Sequence, residues 1–208
     1  MAGPERIYLA RHGETEWNAV GRIQGRLDSP LTSRGIAHGE RLGEFVRAER
    51  IAMVVSSPLG RAKRTAELAV QASGVPLVLL DELAEIDHGR FSGLTKLELG
   101  ARHPGALVAR ARDKFRWVHP DGESYESALP RARTAVAAIA ATSAERVLVV
   151  SHEMIGRLLR MELLGLTPAE AMGLSQPHAT VIEVVRGDAV EHHLVDRAHG
   201  QFRATEEG

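Results

Sequence analysis

Three apolar runs in this chain each end on residues that can handle an anion. "IYLA" at 7–10 runs straight into Arg11 and His12, "MVVSSP" at 53–58 is followed by Arg61, and "LVVS" at 148–151 by His152. A guanidinium is a forked, permanently charged donor that matches a tetrahedral dianion such as phosphate. A neutral imidazole nitrogen can attack phosphorus and hold the phosphoryl group covalently. A second imidazole, if protonated, stabilises charge on the equatorial oxygens. The leaving alcohol then needs a proton, which a carboxylic acid can give. Glu85, in "DELAEIDHGRFSG" at 81–93, follows the apolar run "VPLVLL" at 75–80 and is the candidate.

The elements that would position these residues are legible. The runs at 6–10, 51–56 and 146–151 are continuously apolar, as in parallel strands covered on both faces by helices. Parallel strands deliver their carboxyl ends to one sheet edge, where ligands bind in open α/β folds. Two arginines and two histidines should therefore converge in one pocket, near helix N-termini that add partial positive charge. Ser57-Pro58 reads as a cap and first-turn proline for a helix running to Gly74. A second helix begins near residue 33, and "TKLE" at 95–98 and "TPAE" at 167–170 match the capping box. Residues 127–145 read as helical on either side of Pro130, and 153–164 as a helix ended by Gly165. "ATVIEVV" and "AVEHHLV" flank Gly187-Asp188, which reads as a two-residue hairpin turn and gives the sheet an antiparallel edge. His192 and His193 fall on that hairpin and read as sheet residues; the tail 203–208 reads as frayed. Residues 91–125 mix Pro, Gly, aromatics and basic residues and read as a lid inserted into a single domain spanning 1–208. The expected fold is α/β, a three-layer α/β/α arrangement around a mostly parallel mixed sheet.

Composition narrows the function. The chain has 208 residues, a formal net charge of -1 and 4% aromatic residues, which disfavours a nucleic-acid binder. It has no cysteine, so thiolate chemistry and disulfides are excluded. The N-terminus has no signal-peptide core and no run is long enough to span a membrane, so a cytoplasmic protein is expected. A lone histidine at a strand end is most often structural, and a lone arginine most often pairs on a solvated face. Three strand ends delivering Arg-His, Arg and His together are harder to dismiss. "HEMIG" at 152–156 lacks the second histidine of a zinc-protease helix, and adjacent guanidinium groups oppose a cation, so neither metal nor other cofactor is expected. The expected partner is a small phosphorylated metabolite. No edge or patch can be assigned to an oligomer, and a homodimer stays open.

"LARHGETEWN" at 9–18 resembles the signature of the histidine phosphatase superfamily, the phosphoglycerate mutase-like family. "RIQGRLDSPLTSRG", "SSPLGRAKRTAE", "LAEIDHGRFSGLT", "DGES" and "VLVVSH" continue the resemblance in order, to about residue 165. The resemblance implies that His12 is the phosphorylated nucleophile and that Arg11, Arg61 and His152 complete the phosphate pocket. It implies that Glu85 is the proton donor and then the base that activates water. It places Asn18, Gln24 and Gly25 at the phosphate or the substrate edge. The implied activity is a metal-independent phosphomonoester hydrolase of histidine acid phosphatase type. The alternative is a cofactor-dependent phosphoglycerate mutase; a further one is a binding module for phosphorylated ligands without turnover. "IQG" at 23–25, the short lid and the lack of an adjacent Arg-Arg pair there favour a phosphatase, whereas Lys96 falls where mutases carry a lysine. His88 stands where mutases carry a tyrosine. Glu153 stands where the family usually has a small residue. The two are expected to shape leaving-group selectivity, unless Glu153 simply favours a helix dipole. The basic lid residues Lys96, Arg102, Arg110, Arg112, Lys114 and Arg116 either meet a second anionic group or are solvated. Phe91 and Trp117 either line the pocket mouth or hold the lid down.

Overall fold

The structure, a computed structural model, describes residues 3–71, 73–185, 188–193 and 203–205. The apolar runs form strands: β1 (Arg6–Arg11), β2 (Met53–Ser56), β3 (Leu77–Leu79) and β4 (Arg146–Ser151). They are followed by β5 (Thr180–Val185), β6 (Asp188–His193) and β7 (Arg203–Thr205). Among the described residues these make one sheet in the order β3-β2-β4-β1-β5-β6-β7. The pairings from β3 to β1 are parallel and those from β1 to β7 antiparallel, so the antiparallel edge is present.

The helices are α1 (Glu16–Ala19), α2 (Ser33–Ala48), α3 (Gly60–Gln71), α4 (Lys96–Arg102), α5 (Ala106–Arg112), α6 (Tyr125–Ala140), α7 (Glu153–Leu164) and α8 (Pro168–Gly173). The pleat sorts the apolar strand residues into two cores. Ile7, Leu9, Val147 and Val149 pack with Ala132 and Ile139 of α6 and Leu158 of α7. Tyr8, Ala10, Leu148 and Val150 pack on the other face with Leu42 and Phe45 of α2 and Ala66 of α3. Each such buried aliphatic side chain contributes about 1.5–3 kcal/mol. Covering both faces explains why the strands read as apolar runs rather than alternating ones. α6 runs straight through Pro130, six residues beyond the Ser124 cap and on an exposed face.

Register fixes the site's position. Val150 pairs with both Ala10 and Ser56, and Arg11 pairs with Ser151. The backbone N–H of His12 donates to the Ser151 carbonyl at 2.9 Å, and that of Ser57 to Val150 at 3.0 Å. The carboxyl ends of β2, β4 and β1 therefore stand in one row. The loop after β1 passes so close to α2 that a Cβ on Gly35 would lie 2.1 Å from the Glu14 carbonyl oxygen, which only glycine avoids.

Three readings need correction, and a fourth is met in the backbone. Ser57 does not cap α3; its Oγ accepts from Leu59 N, and the cap comes from elsewhere in the chain, as described below. Asp188 pairs with Val185, so it already belongs to β6 rather than to the hairpin turn; Gly187 lies outside the described residues. Arg203–Thr205 form β7 instead of fraying, because β6 offers them an open edge; 206–208 lie outside the described residues. The backbones of His192 and His193 are in β6, while their side chains lie outside the described residues.

His38, on α2, is 3% exposed, and neither ring nitrogen has a partner among the described residues. Burial first, then the nearby His178, Arg41 and Arg11 charges, lowers its pKa to about 3. The unfolded chain binds a proton at His38 near pH 6.5 and the folded chain resists it. Its contribution to stability is therefore whole above the ordinary imidazole range and is lost as pH falls toward about 3. Urea unfolding between about pH 6 and about pH 5 should show stability falling with acid, and His38→Leu should flatten that slope by about 1.4 kcal/mol per pH unit. An unchanged slope would assign the acid sensitivity to other groups.

Candidate active site

His12 follows β1 and is almost fully buried. Its Nδ1 lies 2.8 Å from the Gly13 carbonyl oxygen, which can only accept, so Nδ1 carries the proton. The lone pair is left on Nε2, which accepts from Arg61 Nε at 3.2 Å. Burial, then the charges of His152, Arg61 and Arg11, holds His12 well below the ordinary imidazole range. His12 is therefore neutral, with its nucleophilic nitrogen fixed in direction.

Arg61, in the first turn of α3, has every nitrogen committed. NH1 donates to Leu27 O (2.8 Å) and Asp28 Oδ1 (2.9 Å), and NH2 to Gly25 O (2.8 Å). Asp28 also takes the free N–H groups of Gly60 (2.6 Å) and Arg61 (3.2 Å), which makes it the cap of α3. Arg11 donates through NH1 to Glu153 Oε2 at 2.6 Å and to Gln176 O at 3.3 Å, while its Nε is buried with no partner among the described residues.

Glu85 lies beyond β3, after the 3₁₀ turn Asp81–Leu83. Its Oε1 accepts from Ile86 N (2.9 Å) and Ile155 N (3.0 Å), and its Oε2 from Met154 N alone (3.2 Å). It thus occupies the N-terminus of α7. The helix ends expected to face a ligand are held by carboxylates: Asp28 at α3 and Glu85 at α7. His152 is fully buried beside His12, with ring centroids 5.1 Å apart. Its Nε2 lies 2.8 Å from Ser57 Oγ, and its Nδ1 has no partner among the described residues. Burial and the Arg61 and Arg11 charges lower it well below the ordinary imidazole range.

A cavity of about 350 Å³ lies over these groups. Arg11, His12, Arg61 and Glu85 line it, as do Asn18, Gln24, Gly25, His88 and Glu153; His152 does not. Asn18 uses its Oδ1 in the Thr15 capping box, which turns its amide nitrogen outward. Gln24 Oε1 is buried and unpartnered among the described residues. Gly25 has φ +55, and a Cβ there would lie 2.8 Å from Ser92 Oγ. Burial, then His119, Arg110 and Arg61, lowers His88 to about 3, so it presents a neutral ring to the cavity.

The segment between residues 89 and 124 carries α4, α5 and a small core of its own, Phe91, Leu94 and Leu99. Lys96 and Arg110 reach the cavity. Arg102 and Arg112 are exposed, Lys114 donates to Met172 O, and Arg116 pairs with Asp113 and Glu126. Phe91 lines the cavity; Trp117 stacks behind it at 5.6 Å. Among the described residues no group of three or more His, Asp or Glu could hold a metal ion, and no helix is long and apolar enough to cross a membrane.

Sequence reasoning missed the residues that hold the acid loop. Arg131 of α6 donates through NH1 to the carbonyls of Glu82 (2.8 Å) and Ala84 (2.5 Å). Its NH2 donates to Glu85 O (3.3 Å) and to Glu123 Oε2 (3.0 Å). Glu123 Oε2 also accepts from Asp87 N at 2.9 Å. Glu123 lies in the "DGES" landmark, the signal that could have found it; Arg131, one of two arginines in an Ala-rich helix, carries no sequence signal.

Residues 7–196 match the histidine phosphatase superfamily (branch 1). A protein named "Probable phosphoglycerate mutase GpmB", from Salmonella arizonae, is 40% identical over 167 residues, covering 77% of this chain and 75% of that protein. Among solved structures, mycobacterial glucosyl-3-phosphoglycerate phosphatase with VO3 is 27% identical, with a TM-score of 0.80 over 97% of each chain. The α-ribazole phosphatase from Shigella flexneri is 26% identical, with a TM-score of 0.79 over 94% of this chain and 98% of that one.

Arg131→Met should cost about 2–4 kcal/mol, because three carbonyls and the Glu123 carboxylate lose their donor. Arg131→Lys should not restore it, since an ammonium lacks the planar fork. Thermal and urea unfolding of both variants would check this; wild-type stability in Arg131→Lys would contradict the fork.

Proposed function

The chain belongs to the histidine phosphatase superfamily, and from that premise we propose that it is a metal-independent phosphomonoester hydrolase working through a phosphohistidine on a small phosphorylated metabolite. One observation carries this reading: the Nδ1–H of His12 is tied to the Gly13 carbonyl, so a neutral Nε2 lone pair faces Arg61 at the cavity. The solved neighbours named as phosphatases support it.

In the proposed reaction the phosphate lies between Arg11 and Arg61, with Asn18 and Gln24 at its edge. His12 Nε2 bonds to phosphorus as the ester P–O bond breaks. Glu85 gives its proton to the departing oxygen; Oε2, with a single backbone donor, is the oxygen with room to do so. A water then gives its proton to Glu85 and attacks phosphorus, releasing inorganic phosphate and returning the Nε2 lone pair. His152 donates to an equatorial oxygen through Nδ1 once the dianion is bound. The segment 89–124 acts as a lid that closes the cavity around the leaving group.

A mutase is the second reading, favoured by the name of the Salmonella arizonae relative and by Lys96 lining the cavity. Incubation with a panel of phosphomonoesters in EDTA separates the two. Phosphate release without isomer formation, lost in His12→Ala, is the expected result. Interconversion of 3- and 2-phosphoglycerate that depends on a bisphosphoglycerate primer would replace it with the mutase. Glu85→Gln should lose about a hundredfold or more on alkyl phosphates and less than about tenfold on p-nitrophenyl phosphate, whose leaving group needs no proton. Equal losses on both would remove Glu85 as the acid.

A further inference from the structure

Glu153 opens α7 and divides its carboxylate between two arginines. Oε2 accepts from Arg11 NH1 and Oε1 from Arg157 NH2, each at 2.6 Å. Arg157 is itself held by Leu174 O and the Tyr125 hydroxyl, both at 2.7 Å. The carboxylate is therefore anchored on the cavity wall. Its grip on NH1 also decides how Arg11 meets a ligand: the Nε and NH2, neither bonded among the described residues, are what remain to offer.

Its place along the chain gives the carboxylate a second consequence. The next residue, Met154, points its N–H at Glu85 Oε2, the oxygen assigned above to protonate the leaving group. Glu153 thus stands on the leaving-group side of the cavity. The cations nearest it are already engaged, Arg11 and Arg157 with it and Lys114 with Met172 O, while Lys96 and Arg110 line the cavity elsewhere. An anionic group next to the ester oxygen would meet a fixed like charge, whereas a hydroxyl there would find an acceptor.

We propose that Glu153 selects the leaving group, admitting phosphate esters of polyols and sugars and disfavouring those with a carboxylate or second phosphate beside the ester. This inference rests on the phosphomonoesterase reading. It makes Glu153 a specificity-determining residue and, through Arg11, a positioning one.

Glycerol 3-phosphate and 3-phosphoglycerate differ only by a hydroxymethyl against a carboxylate, so the ratio of their kcat/KM for phosphate release isolates that charge. The wild-type ratio should favour glycerol 3-phosphate by about tenfold or more, and Glu153→Gln, which keeps the shape, should reduce it by about tenfold. Glu153→Gly should move it the same way. Reading a ratio within each variant cancels any general loss of activity or folded protein. A wild-type ratio near one or favouring 3-phosphoglycerate overturns the inference without any variant, as does a ratio unmoved in both variants. In those cases release of phosphate by the wild type leaves the phosphatase reading standing. A wild type that hydrolyses no ester, p-nitrophenyl phosphate included, and forms no phosphohistidine fails that reading, and the inference with it.

Discussion

The site is organised around a guanidinium that water cannot reach. Arg61 is 2% exposed, and a buried cation left unpaired is too costly for a marginally stable fold. Four of its five N–H groups are therefore met, and meeting them draws in the surroundings: the carbonyls of Gly25 and Leu27, the Asp28 carboxylate and the His12 ring. One charge thereby fixes the loop at 24–28, the start of α3 and the orientation of the His12 ring. The glycine at 25 follows from the same demand, since its carbonyl reaches Arg61 only with a backbone at φ +55 packed against Ser92.

The carboxylates balance this cationic cluster without filling the cavity. Asp28 and Glu85 each satisfy the free N–H groups of a helix, so their oxygens are held where no flexible arm can move them. Glu153 answers Arg11 in the same manner from the third position of attack on the cavity, the wall beside α7. The result is a site in which the histidines are neutral by burial and the arginines are oriented by fixed partners. Preorganised charge of this kind needs no rearrangement when a dianion arrives.

Glu85 is held more elaborately than His12. His12 sits at the end of a strand inside the sheet, whereas Glu85 belongs to an irregular segment that has no ladder to hold it. Arg131 and Glu123 replace the ladder by bonding the loop's own carbonyls and the Asp87 N–H. The same loop leads directly into the segment that carries Phe91, Leu94 and Leu99. The small core over the cavity is therefore tied to the acid through a few residues of chain.

The sequence by itself determined the parallel strands, because burial on both faces forces continuous apolar runs, and it determined what stands at their ends. It also showed the capping boxes at Thr95 and Thr167, since the partners lie three residues apart. The cap of α3 was not legible, and Ser57 was the natural local choice. The residue that accepts there, Asp28, lies 32 residues away from Gly60, and no local pattern encodes such a pairing. The sorting of the basic residues between 96 and 112 was equally hidden: Lys96 and Arg110 differ from Arg102 and Arg112 only in the faces that packing gave them. Glu153 shows the division most plainly. Its type and position mark it as unusual, but its pairing with Arg11 exists only because β1 and β4 lie side by side, bringing residues 142 apart in sequence to 2.6 Å. Residue type and short-range spacing are properties of the chain; which charges must neutralise one another is settled only when the fold removes the water between them.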